Sequence, residues 1–240
     1  MKIKNYLPRW IYEPLINFYN RYINKYYQSS YAQEGEDLII NRMIYGKIDQ
    51  GFFVDVGAHH PKRFSNTYFF YKKGWKGISI EARPGSKKMF DKYRPKDINL
   101  EIPIYSKEVE LTYYQFNDSA LNGFSRELSE QREKLNDYRI IKTTKLKTKT
   151  LKEILDHHLP IGKQIDLLSI DVEGLDMEVL KSNDWSKYLP TIILVEDKEF
   201  DFESPEESEI YFYLSQKKYK LVGKTLNTLI LILKDNWLGI

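Results

Sequence analysis

The chain has 240 residues, in which 37 lysines and arginines nearly balance 34 aspartates and glutamates; the net charge of +3 gives no support to a nucleic-acid partner. It has no cysteine, which excludes a disulfide framework, a thiolate zinc site and a cysteine nucleophile, and fits a cytoplasmic protein. The length suits one α/β domain with an N-terminal extension and leaves enough chain to bury a sizeable core.

Residues 1–30 carry lysines near their start but neither the apolar region of a signal peptide nor a membrane span. Between Ile11 and Tyr27, aromatic and aliphatic residues recur with Arg21 and Lys25, a pattern that predicts an amphipathic helix begun by Pro14. The expectation is a helix docked on its own domain or on a second subunit of a homo-oligomer. A peripheral membrane contact is the alternative. Residues 31–240 form the expected domain.

Ala32–Asp37, AQEGED, is a polar turn before a helix over Leu38–Ile44; Gln33 and Asp37 are candidates to reach a ligand over the sheet edge, though helix capping alone explains the acidic residues there. Phe52–His60, FFVDVGAHH, comes next. Phe52, Phe53, Val54 and Val56 make the apolar run of a central parallel strand. A carboxylate inside such a strand must be satisfied, so Asp55 belongs at the open carboxyl edge near a polar ligand. Gly57 lets the chain turn sharply and a bound molecule approach its backbone. Open α/β sheets bind ligands at that edge.

Asn66–Lys73 reads as a helix stopped by Gly74, and Gly77–Ala82 as the second strand. Glu81 closes that strand 26 positions after Asp55, the placement of a carboxylate that pairs with ribose hydroxyls. A helix is predicted from Pro84 to about Tyr93, a third strand over Asn99–Ser106 and an added edge strand over Lys107–Phe116. The polar segment Asn117–Arg139 holds one solvated helix, Ser125–Asn136; loops inserted at this edge usually set acceptor specificity, and a plain surface excursion is the equal alternative. After the Lys/Thr alternation of Thr143–Thr150 come a helix, Leu151–His158, and a buried strand, Ile165–Ile170, that runs into Asp171, Val172, Glu173 and Gly174. A crossover helix over Asp176–Asn183 leads to the strand Thr191–Val195, closed by Glu196 and Asp197. A helix over Glu206–Lys217 and an antiparallel hairpin of Tyr219–Val222 and Leu229–Leu233 complete the chain.

Dinucleotides and S-adenosylmethionine both use an acidic second strand after a glycine loop. A dinucleotide requires G-x-G-x-x-G, and the sequence from Gly57, GAHHPK, lacks two of those three glycines, which disfavours an NAD(P) oxidoreductase. S-adenosylmethionine carries no phosphate and needs only one close backbone approach.

The stretches FVDVGAHHPKRFSNTYFFYKKGWKGISIEARP, SALNGFS and IDLLSIDVEGLDMEVLKSNDW resemble, in that order, the FkbM-type family of S-adenosylmethionine-dependent methyltransferases. The likeness runs from about Tyr31 to Lys234. It implies a class I methyltransferase: an α/β, Rossmann-like, mostly parallel seven-stranded sheet with an antiparallel C-terminal hairpin and helices on both faces. It also implies methyl transfer, usually to an oxygen of a sugar, glycan precursor or secondary metabolite. Carried over by position, Asp55 and Gly57 lie at the methionine end with His59 in the same loop, Glu81 on the ribose and Ser106 near the adenine. Asp171 and Glu173 face the acceptor. The sequence departs from the family at His59, His60 and Pro61, where many members have small residues.

A hydroxyl acceptor must lose a proton, and His60, His59, Asp171 and Glu173 are the candidates to take it. Asp171, Glu173, Glu196 and Asp197 could instead gather Mg²⁺, a reading less favoured than helix capping and pairing with lysines. A different class of function, a catalytically degenerate binding or assembly module on a membrane-associated complex, draws on residues 1–30 and the altered loop.

Overall fold

The computed structural model describes residues 7–24, 28–135 and 137–236. The chain divides into two compact units, Met1–Ser30 and Tyr31–Ile240. The first holds one helix, α1 (Arg9–Tyr22), none of whose residues is buried. It begins five residues before Pro14, the expected start, so Pro14 lies inside it. The missing N–H leaves the Trp10 carbonyl without its helical donor, a modest loss on a helix where Trp10 is 75% exposed and water is at hand. Residues 25–27 of the expected helix lie outside the described residues. Among the described residues, no helix is long and apolar enough to cross a membrane.

The second unit contains α2 (Glu36–Met43), β1 (Phe52–Val56), α3 (Tyr68–Lys72), β2 (Lys76–Ile80), α4 (Ser86–Tyr93) and β3 (Ile98–Leu100). After these come β4 (Glu110–Phe116), α5 (Arg126–Glu133), β5 (Ile140–Lys147), α6 (Leu151–His158), β6 (Leu167–Ile170) and α7 (Asp176–Lys181). The last elements are β7 (Ile192–Glu196), α8 (Glu209–Gln216), β8 (Tyr219–Lys224) and β9 (Thr228–Leu233). Seven strands form one sheet in the order β3-β2-β1-β6-β7-β9-β8. Pairing is parallel from β3 to β7 and antiparallel through β7, β9 and β8. This is the α/β, Rossmann-like sheet with a terminal antiparallel hairpin that the sequence predicts.

Apolar residues on both faces of each central strand explain why helices cover both sides. Val54, Val56, Ile78, Leu168 and Val195 share one buried cluster with Leu155 of α6, Val179 of α7 and Leu214 of α8. Phe53, Leu167, Ile192 and Leu194 face the other way, onto Ile40 of α2, Phe70 of α3 and Trp75. Each fully buried Val, Ile or Leu contributes about 1.5–3 kcal/mol. The chain leaves β1 towards β2 on one side and towards β6 on the other, so a crevice opens at the carboxyl ends of β1 and β6.

Two expectations are corrected. The third strand stops at Leu100 rather than Ser106, since Pro103 has no N–H to give a ladder. Residues 107–116 add no edge strand to the main sheet: β4 pairs antiparallel with β5 in a separate two-stranded sheet, Tyr113 opposite Thr144. The polar segment between them folds as a 3-10 turn, Ser119–Leu121, followed by α5.

Candidate active site

A cleft of about 940 Å³, partly open to solvent, lies over the carboxyl ends of β1, β2 and β6, with the β4–β5 insertion as its far wall. Four non-glycine residues among those described have positive φ, and three of them, His59 (49°), Phe64 (54°) and Glu173 (55°), line this cleft. Backbone strain gathered in that way is characteristic of functional sites.

Asp55 reaches the cleft from β1, in register with Ser79 of β2 and Ser169 of β6. The Thr67 hydroxyl donates to its Oδ2 at 2.6 Å, and Ser169 bonds the same carboxylate. Asn66 Nδ2 donates to Ser169 Oγ at 3.1 Å and brings a side-chain amide to this corner. Burial raises the Asp55 carboxyl above the usual carboxylate range, and the Arg94 charge works against that rise.

Glu81 directly follows β2, buried at the cleft wall. Its Oε2 accepts the His59 N–H at 2.7 Å and its Oε1 the Arg83 N–H at 2.8 Å. The carboxylate thus ties the β1 loop to the β2 loop. Each oxygen accepts one backbone donor and keeps a lone pair for a ligand hydroxyl. Burial raises its pKa, and those two N–H groups oppose the rise.

Gly57 has φ +80°, and a Cβ there would overlap the carbonyl oxygen of Asp171 and sit 2.7 Å from its carbonyl carbon. The glycine is therefore required by the neighbouring chain, as well as lying on the cleft wall. Asp171 in turn donates its N–H to Val56 at 3.0 Å, which locks the two loops together. Its side chain lines the cleft within reach of solvent. The protein around it, followed by the charges of Glu196, Asp176 and Glu173, raises the Asp171 carboxyl above the usual range, and because the residue is exposed, water moderates that rise.

Asp176, the first residue of α7, shapes the loop that presents these groups. Its two oxygens accept the N–H groups of Val172 and Gly174, each at 3.2 Å. Burial, with Glu196 nearby, pushes it up to about 7. Glu173 lines the cleft and forms an ion pair with Arg132 of α5, whose Nη1 also donates to the Leu121 carbonyl at 2.7 Å. Lys198 lies 2.8 Å from Glu196 and 3.6 Å from Glu173.

Other expected site residues lie elsewhere. His60 is not among the cleft-lining residues: its Nδ1 accepts the N–H groups of Lys62 and Arg63, both at 3.0 Å, so the ring builds the turn. With the proton on Nε2, that ring has no lone pair left with which to act as a base. His59 does line the cleft, and burial followed by the charges of Arg83 and His60 lowers its pKa to about 4. Ser106 donates to Glu178 of α7 and is not part of the cleft wall. Ile102, Pro103 and Ile104 occupy the expected adenine side. Asp197 accepts the Ser208 hydroxyl at 2.5 Å. Among the described residues, no group of three or more histidines, aspartates or glutamates is arranged to hold a metal ion. Of the four carboxylates that could have gathered Mg²⁺, Glu173, Glu196 and Asp197 are joined to Arg132, Lys198 and Ser208, and Asp171 stands apart from these pairs on the cleft wall.

Residue-type reasoning alone missed Asn66, Tyr113 and Phe124. Tyr113 and Phe124 meet at a tilt with centroids 4.9 Å apart on the insertion side of the cleft. The signal for Phe124 is the stretch SALNGFS, which supplies Ser119, Ala120, Asn122, Gly123 and Phe124 to the cleft wall.

A parallel sheet with a switch-point crevice, an acid closing its second strand and a reversed last strand defines the Rossmann-like methyltransferase class. A model of the methyltransferase FkbM domain matches residues 55–221, most of the chain, from the end of β1 into β8. The chain belongs to the FkbM-domain methyltransferases. No curated protein and no solved structure matches it significantly.

Proposed function

We propose that the protein transfers a methyl group from S-adenosyl-L-methionine to a hydroxyl oxygen of a sugar, glycan precursor or related small metabolite in the cytoplasm. The observation that carries this reading is Glu81, a buried carboxylate on the cleft wall whose oxygens each accept only one backbone N–H and so have capacity for a further donor. Such a group suits the paired hydroxyls of a ribose. The surroundings fit an adenosyl ligand without phosphate. The first helix after Gly57 begins only at Tyr68 and has five residues, so no helix N-terminus stands ready for a pyrophosphate. Ile102 and Ile104 offer an apolar wall for a base, and Asp55 a carboxylate for an ammonium group.

When bound, the cofactor supplies a methyl group on a sulfonium, which needs no activation to leave. The protein's part is to place the acceptor in line and to take its proton. Orientation of this kind is worth up to roughly 7–11 kcal/mol in well-aligned reactions. Asp171 is the group suited to accept the proton: it lines the cleft, and its raised pKa brings it closer to a hydroxyl than an ordinary carboxylate. Glu173, fixed by Arg132, and the Tyr113–Phe124 pair supply polar and aromatic surface for a polyhydroxylated acceptor.

Calorimetric titration of the full chain with S-adenosylhomocysteine tests the reading. Saturable heat at one site is expected, lost or weakened at least tenfold in Glu81→Ala; absence of both heat and a thermal shift would remove it. Transfer of a labelled methyl group across a panel of hydroxylated acceptors then identifies the substrate.

A further inference from the structure

Behind Asp55 lies a buried network that the site description leaves without a task. Arg94, at the end of α4, has no solvent exposure. Its guanidinium carbon sits 4.8 Å and 5.2 Å from the ring centroids of Phe53 and Tyr71. Nε donates to Asp97 Oδ2 at 2.8 Å, and Nη1 donates to Thr67 Oγ1 at 2.9 Å. Since Arg94 occupies the acceptor side of the Thr67 hydroxyl, the single proton of that hydroxyl goes to Asp55 Oδ2, 2.6 Å away.

Thr67 precedes α3 at the position where a hydroxyl ordinarily caps the helix, yet it makes no capping bond. Ser65 Oγ accepts the Tyr68 N–H at 3.1 Å in its place. The Thr67 hydroxyl is thereby left free to connect Arg94 to Asp55.

The charges in this network do not balance. Arg94 bonds Asp97 directly and reaches Asp55 only through Thr67, and Asp97 is further satisfied by the Gly77 N–H at 3.1 Å. Asp55 is the member that reaches the cleft. Buried negative charge of this kind calls for a positive partner, and the cleft is the side from which one can come.

We infer that Arg94 is a positioning residue that acts through Thr67 to fix the Asp55 carboxylate, so that this end of the cleft selects a ligand bearing an ammonium group. The inference rests on the cofactor reading and adds to it the pair of residues that decides recognition of the amino-acid end.

The test is calorimetric titration of the full chain with S-adenosylhomocysteine and with its analogue lacking the α-amino group. Thr67→Val keeps the side-chain shape and removes the connection; it is expected to weaken S-adenosylhomocysteine binding about tenfold, the scale of one hydrogen bond to a charged group, and to leave the deaminated analogue within about twofold. Thr67→Ser, which restores the hydroxyl, keeps the wild-type ratio. Arg94→Lys lowers the same affinity in the wild-type background and adds nothing in the Thr67→Val background. Equal losses for both ligands, additive losses in the double variant, or unchanged ratios in folded variants overturn the inference. Wild-type protein that binds neither ligand overturns the cofactor reading and this inference with it.

Discussion

A Cβ placed on Gly57 would overlap the carbonyl oxygen of Asp171. The first-loop glycine and the proton-accepting carboxylate proposed above are therefore neighbours through their backbones, and the two strand ends that define the crevice hold each other in place. In the proposed reaction, the cofactor and the acceptor would meet at that contact.

Gly57→Ala should be costly. A side chain at φ +80° carries left-handed strain, and the overlap with Asp171 forces backbone to move, for a combined loss of about 3 kcal/mol or more. Urea unfolding of the variant beside the wild type measures it. A loss under about 1 kcal/mol would show that the loops are not held as described.

His60 is expected to matter for stability and not for turnover. His60→Ala leaves the N–H groups of Lys62 and Arg63 without their acceptor and costs about 1–2 kcal/mol. Asparagine can offer an oxygen near the position of Nδ1, so His60→Asn should recover most of that loss with kcat unchanged. A folded His60→Asn protein that has lost turnover would return His60 to the list of bases.

The pH–rate profile reports on Asp171. A base works in its deprotonated form, so log(kcat/KM) should rise with pH through the raised Asp171 value and level off above it. Glu196 is the neighbour whose charge raises Asp171 most, so Glu196→Gln should move the rising limb to lower pH. Asp171→Asn should lower kcat by about 10²–10⁴-fold. A limb that stays in place or moves to higher pH in Glu196→Gln would contradict the assignment.

Arg132 joins the insertion to the cleft through Glu173 and the Leu121 carbonyl. Arg132→Gln should raise the acceptor KM several-fold and leave S-adenosylhomocysteine affinity unchanged, because its contacts all lie on the acceptor side. Steady-state kinetics beside calorimetry separates the two. Loss of cofactor affinity with an unchanged KM would place α5 on the wrong side of the site.

The sheet and its ligand edge were legible because the signals are strong and local. The runs around Val54, Ile78 and Leu168 are buried, and Asp55, Glu81 and Asp171 stand at or near the ends of those runs. The structure brings all three to one cleft. Side-chain direction was not legible. His60 and Ser106 are chemically capable residues in suitable segments, but one ring turns back on its own loop and the Ser106 hydroxyl finds Glu178, 72 positions later. The insertion was misplaced because the alternation of β4 reports a half-buried strand without naming its partner, and β5 lies beyond a long polar segment. Arg94 gave no signal at all. An arginine near a helix end reads as solvated, and only the assembled rings of Phe53 and Tyr71 show that it is buried.

A crystal structure of the full chain with S-adenosylhomocysteine tests the central claim most directly. The account predicts both ribose hydroxyls within hydrogen-bond distance of the Glu81 carboxylate, the amino group beside Asp55, and Asp171 facing the position the methyl group would occupy. A ligand bound away from the carboxyl ends of β1, β2 and β6, or one whose ribose makes no contact with Glu81, would contradict it.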